Sequence, residues 1–196
     1  MELVKRAQGI ILKPKDEWNV IKDEPTTVPQ LFTQYAVILA AIPAVAMFIG
    51  WALLGFRIPF VGGSWTGRAL LFAIFSYIFG LVSVYVFGFV INALAPNFGS
   101  TQSLPMAMKL AVYSMTPAWV AGIFHIIPAL GILAILGSLY GIYVLYLGFN
   151  QPLMGTPKEK ATGYLIVSVV VMIVLMVIVQ VILGAVFAMR GVLTVF

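Results

Sequence analysis

Four long stretches of this chain carry no Asp, Glu, Lys or Arg: residues 31–56, 69–108, 110–157 and 161–189. A helix that crosses a bilayer needs about 20 mostly apolar residues, and charge-free runs of this length have few other uses. Composition agrees, since 62% of the 196 residues are hydrophobic, only 9% are charged and the mean hydropathy is +1.09. A soluble domain carries roughly 25% charged residues. The expected fold class is therefore all-α, a polytopic membrane helical bundle.

The first run fits one span at about 31–54. The second fits a span at about 69–94, followed by the loop Ala95-Pro96-Asn97-Phe98-Gly99-Ser100. The third run is too long for one crossing and just long enough for two. Pro128 and Gly131 stand near its middle, and a proline, lacking the amide proton, suits a turn there. Residues 110–127 and 129–149 are expected as a tight helical hairpin. A re-entrant pair that dips in without crossing is the alternative. The last span is expected at about 164–189, which makes five transmembrane helices.

Basic residues orient the bundle. Lys5, Arg6, Lys13, Lys15, Lys22, Lys109, Lys158 and Lys160 fall on one side, against Arg57, Arg68 and Arg190 on the other. The N-terminus is expected in the cytoplasm and the C-terminus outside, and either kind of hairpin preserves that result.

Residues 1–30 form a cytoplasmic segment ahead of the transmembrane domain, residues 31–196. Leu3, Val4, Ala7, Ile10 and Ile11 follow helical spacing, with Glu2, Lys5 and Arg6 opposite. After Pro14, a second short turn places Trp18 and Ile21 on one face. Trp18 near lysines suits an interfacial anchor on the inner leaflet, while packing on the protein's own cytoplasmic face is the other reading. Pro25-Thr26-Thr27-Val28-Pro29 reads as an extended linker. The cluster Gly9-Ile10-Ile11-Leu12 is too short for a signal-peptide core and runs into Lys13-Pro14-Lys15, so the spans themselves are expected to drive insertion.

The chain has no cysteine, which excludes disulfides, thiolate catalysis and cysteine-ligated metals. His125 is the one ionisable residue expected within the spans. A lone imidazole without a carboxylate or a second ligand is expected to cap or to face the interface. Neither a His-Glu-x-x-His, a Gly-x-Ser-x-Gly, a phosphate loop nor a dinucleotide fingerprint occurs. Ser114 and His125 stand about three helical turns apart, too far for a dyad. No catalytic, cofactor-binding or metal-binding residue is therefore expected. Despite the net charge of +5, the basic residues form no stripe interleaved with aromatics, so no nucleic-acid partner is expected.

Helix-packing signals are richer. Ala134, Gly137, Gly141 and Gly148 recur along one face, where small residues let helix backbones approach. Tyr140, Tyr143 and Tyr146 lie beside it, and their hydroxyls need partners if buried. Pro43 and Pro117 fall inside spans and free the carbonyls of Leu39 and Tyr113. Beside Ser114 and Thr116 such carbonyls either line a polar pocket or are satisfied by neighbouring helices.

The stretch Ala111-Val112-Tyr113-Ser114-Met115-Thr116-Pro117-Ala118-Trp119 resembles the Tyr-Ser-x-x-Pro segment in the third span of the YIP family. These are the Ypt/Rab-interacting proteins and their prokaryotic relatives. The run Leu139-Tyr140-Gly141-Ile142-Tyr143-Val144-Leu145-Tyr146-Leu147-Gly148 is similar to that family's fourth-span signature. Pro157-Lys158-Glu159-Lys160-Ala161 resembles the cytoplasmic loop that follows, and Pro14-x-x-x-Trp18 the lead-in of prokaryotic members. The resemblance implies five helices and a cytosolic N-terminus. For eukaryotic members it implies Golgi and endoplasmic-reticulum trafficking with Rab GTPase association. This chain lacks their acidic Asp-Leu-Tyr-Gly-Pro motif, so GTPase binding is not carried over. The expected function is that of a non-enzymatic adaptor or organiser in a prokaryotic inner membrane, working through helix interfaces and its cytoplasmic face. Its expected partners are the lipid bilayer and a second copy or another membrane protein. A channel or small-solute transporter with a path near Pro117 is the runner-up.

Overall fold

Residues 2–53, 65–150 and 153–192 are described by a computed structural model, and no strand occurs among them. Arg57, used above for orientation, lies outside the described residues. The chain begins with two short helices, α1 (Leu3–Leu12) and α2 (Pro14–Asp23). Pro14 opens α2, where its missing amide proton costs nothing, and Asp16 and Glu17 suit the positive end of the helix dipole. Gly9 lets the two helices meet, because a Cβ there would run into the Glu17 carboxylate.

The linker is shorter than the sequence suggests. The Thr27 hydroxyl accepts the Gln30 amide at 3.4 Å, and the Gln30 side chain accepts the Thr27 amide at 3.1 Å. This reciprocal cap starts α3 (Val28–Leu31), so Val28 and Pro29 are already helical. Through a π-helical turn at Phe32–Ala36, α3 continues into α4 (Val37–Phe48) and a second such turn at Ile49–Leu53. Pro43 lies inside α4 without ending it. Next come α5 (Trp65–Leu94) and a 3-10 turn, Ala95–Phe98, closed by Gly99 in the left-handed region at φ 67.

The helix expected at 110–127 begins earlier and does not run through. It is split into α6 (Leu104–Ser114) and α7 (Thr116–Ala121), with a 3-10 turn at Gly122–Ile126. Pro117 cannot donate to the Tyr113 carbonyl, so the ladder stops there. The Met115 amide turns back to Val112 at 3.2 Å, and the Trp119 amide restarts the helix on Met115 at 2.9 Å. Ile127 is extended (φ -119, ψ 112) ahead of Pro128, as proline demands of its predecessor. The chain then reverses through Pro128–Leu130 into α8 (Gly131–Asn150), and α9 (Lys158–Val192) completes the described residues.

Among the described residues, 4 helical segments are long and apolar enough to cross a membrane: Val28–Ala52, Ala69–Phe98, Gly131–Phe149 and Lys158–Val186. The α6–α7 segment, broken in its middle, is not one of them. In the bundle α5 lies against α4, α6 and α9, while α8 lies against α6, α7 and α9. A single core runs from Ile10 and Trp18 through Tyr35, Ile91 and Tyr113 to Phe149 and Tyr164. The outward faces are apolar, with Ile132, Ile135, Leu139, Ile166, Val170 and Ile173 all exposed. Faces of that kind suit a hydrocarbon solvent.

Candidate functional site

The densest polar chemistry lies where the α1–α2 hairpin docks onto α6, α7 and α8. Arg6, expected to face outward beside Glu2 and Lys5, is only 7% exposed. It is ion-paired with Glu17 and Glu24, and its guanidinium stands 5.8 Å over the Tyr113 ring. A buried cation is tolerable only when paired in this way. The pairing is available because α2 folds back over α1.

Lys109, expected to act as a charge that sets topology, is 2% exposed inside α6. Its ammonium donates to the Ile21 carbonyl at 2.9 Å and to the Glu24 carbonyl. Those carbonyls close the C-terminal end of α2, where a positive charge offsets the helix dipole.

Trp18 does not reach the lipid. It is 1% exposed, donates its indole N–H to the Val144 carbonyl at 3.0 Å, and meets Tyr113 edge-on at 6.3 Å. Of the two readings open to residues 1–30, packing on the protein's own body is the one the geometry has. Tyr113 in turn meets Tyr35 edge-on at 4.9 Å, and the Tyr35 hydroxyl shares a 2.8 Å hydrogen bond with Thr116. Tyr140 donates to the Ile11 carbonyl at 2.7 Å. Tyr143 is exposed with its ring 5.7 Å from that of Tyr140, and Tyr146 is half-buried. Of the three tyrosines, Tyr140 is the one whose hydroxyl ties α8 to the hairpin.

The small-residue face of α8 is consumed by this packing. A Cβ on Gly141 would lie 2.8 Å from the Ser114 carbonyl oxygen, and one on Gly137 2.8 Å from that of Pro117. Gly148 carries the Trp18 ring, which a Cβ would meet at 3.2 Å. The backbone break between α6 and α7 therefore sits against bare α8 backbone, and Pro117 itself is buried. A path beside Pro117 finds no support in such packing. At the far end His125 is exposed, with its Nδ1 2.9 Å from the Gly122 carbonyl. Among the described residues, no group of three or more His, Cys, Asp or Glu side chains is placed to hold a metal ion.

Arg6, Lys109, Tyr35 and Thr116 were not expected in this cluster. Lys109 did leave a signal, since it stands alone between two long charge-free runs, and such a cation must find a partner. Arg6 left none, because its acidic partners lie on α2 and beyond.

The Yip1 domain family model matches residues 9–179, which include most of the hairpin and the bundle. The chain is also similar to "Inner membrane protein YohC" of Escherichia coli K12. The two are 31% identical over 175 residues, covering 84% of this chain and 88% of that protein. The protein of the same name from Escherichia coli O6:H1 matches with the same figures. No solved structure matches.

Proposed function

This chain belongs to the Yip1 domain family, as a multi-pass inner membrane protein, and from that premise we propose that it is a non-enzymatic adaptor or organiser. The observation that carries this reading is the docked hairpin. Arg6 and Lys109 are used to hold α1 and α2 in one geometry, not to face a reacting group. A held hairpin presents a fixed outer surface, on which Val4, Leu12 and Val20 are exposed beside Lys5, Lys13 and Lys15. Apolar positions rimmed by charge are what a protein partner recognises. In this reading α6 and α7 together make a broken third crossing, which gives five in all. The hairpin then lies on the cytoplasmic side and the C-terminus outside, on the balance of basic residues.

A mild-detergent pull-down of the tagged chain from its native membrane, with quantitative mass spectrometry, tests the adaptor role. A stoichiometric partner held by the wild type and lost from Leu12→Asp or Val20→Asp supports it. Recovery of the chain alone, or of the same partner from all three proteins, ends it. The natural absence of cysteine makes topology easy to read. Thr194→Cys should react with an impermeant thiol reagent on intact cells and Lys13→Cys should not; the opposite pattern overturns the orientation.

A further inference from the structure

Away from the docked hairpin, α5, α7, α8 and α9 line a half-open cavity of about 260 Å³ next to the α6–α7 break. Its polar wall consists of Ser76 and Ser83 from α5, Ser138 from α8 and Gln180 from α9, with Met115 and Trp119 among the apolar remainder. Ser76 and Ser83 flank Gly80, which also lines the cavity, and their spacing puts all three on one face of α5.

The location makes these groups unusual. The Tyr164 hydroxyl bonds to the Ile91 carbonyl near the docked end. From that level, Gln180 lies roughly 24 Å along α9 and Ser76 roughly 22 Å along α5, while Ser83 lies about 12 Å along. The polar wall therefore runs from mid-depth, at Ser83, into the far third, at Ser76 and Gln180, of a hydrocarbon core about 30 Å thick. Polar side chains at such depth need partners, because lipid tails offer none. Ser138 bonds to the Ala134 carbonyl at 3.0 Å. Ser76 Oγ is buried with no partner, while Gln180 is exposed on α9 at the cavity's rim.

What the cavity can hold follows from its walls. None of the lining residues is charged, so a charged guest would find no counter-ion. The volume falls just below the roughly 300 Å³ at which ligand clefts begin. It accepts a small headgroup or a stretch of chain. Hydroxyls and a carboxamide both donate and accept, which suits a hydroxyl or a carbonyl on the guest. We infer that this cavity binds a neutral, hydroxyl- or carbonyl-headed lipid from the bilayer, its head hydrogen-bonded by Ser76, Ser83 and Gln180.

The test uses the full chain in phosphatidylcholine nanodiscs with two probes of equal chain length. One is a long-chain alcohol with a diazirine beside its hydroxyl, and the other bears the same diazirine beside a phosphocholine head. After illumination, peptides carrying Met115, Met172 and Met176 should take up the alcohol at least fivefold more than the phosphocholine probe. Ser76→Ala with Gln180→Leu should cut that labelling about fivefold, as loss of two weak hydrogen bonds implies. Gly80→Leu is the steric control, because a Cβ on Gly80 meets nothing within 4 Å. It should fill the cavity, abolish labelling and leave thermal unfolding unchanged. Equal labelling by both probes, or labelling that survives Gly80→Leu, overturns the proposal. A change in particle mass on Gln180→Leu with no change in labelling assigns Gln180 to a protein contact and also overturns it.

Discussion

The broken α6–α7 segment and α9 are built from opposite materials and end up in places that a soluble protein would exchange. Every residue of α6 from Ala107 to Ser114 is buried, although the stretch contains Lys109, Tyr113 and Ser114. The most apolar of the spanning helices, α9, buries only 6% of its most hydrophobic window. Water drives apolar surface inward, but lipid tails do not, so between these helices burial follows the need of polar groups for partners. The polar segment is the core because Lys109 reaches from it to the end of α2 and Thr116 reaches from it to Tyr35. The apolar helix is the wall because hydrocarbon suits it as well as protein would.

Glycine substitutions should break this contrast most sharply. Gly141→Leu forces a side chain into the Ser114 carbonyl, where backbone must move, and should cost more than about 4 kcal/mol. Loss of the monodisperse folded peak on size exclusion reads that outcome; a normal peak would mean the α6–α8 contact is dispensable.

Lys109→Met comes next. It strips the cation from the Ile21 and Glu24 carbonyls. Hydrogen bonds from a charged donor contribute about 1.5–3 kcal/mol each, so a loss of about 3 kcal/mol or more is expected. The hairpin should loosen first, seen as faster tryptic cleavage at Lys15 and Lys22 than in the wild type. Unchanged cleavage would show that Trp18 and Arg6 hold the hairpin without Lys109.

Tyr35→Phe removes one interhelical hydrogen bond to Thr116 and should lower stability in detergent–lipid bicelles by about 0.6 kcal/mol. The smallest effect belongs to Gly184→Leu on α9, where a Cβ meets nothing within 4 Å. It should stay within about 0.5 kcal/mol of the wild type. A loss on the scale of Gly141→Leu would mean that α9 is covered by another protein surface.

Much of the bundle was legible from residues alone. Of the five spans expected from the charge-free runs, four coincide with helices long and apolar enough to cross a membrane, although α9 starts six residues early, and Gly137 and Gly141 marked a face where backbones meet. The split of the third segment was half legible. Pro117 announced an interrupted ladder, but whether it would kink the helix, as Pro43 is carried in α4, or end it was not readable. The hairpin's docking was legible only as an amphipathic pattern, which does not distinguish lipid from protein.

What the sequence determined by itself was the solvent. Transfer into hydrocarbon is close to a sum over individual residues, so composition and charge spacing decide it locally, and the family motifs are equally local. What only the tertiary structure decided was which polar groups meet. Lys109 caps carbonyls that lie 88 and 85 positions earlier in the chain, and Trp18 bonds one 126 positions later. Arg6 became a core residue only because α2 and the residue that caps it brought Glu17 and Glu24 back to it. Such pairings belong to two distant segments at once, and their energies exist only after the fold has brought the partners within hydrogen-bonding distance.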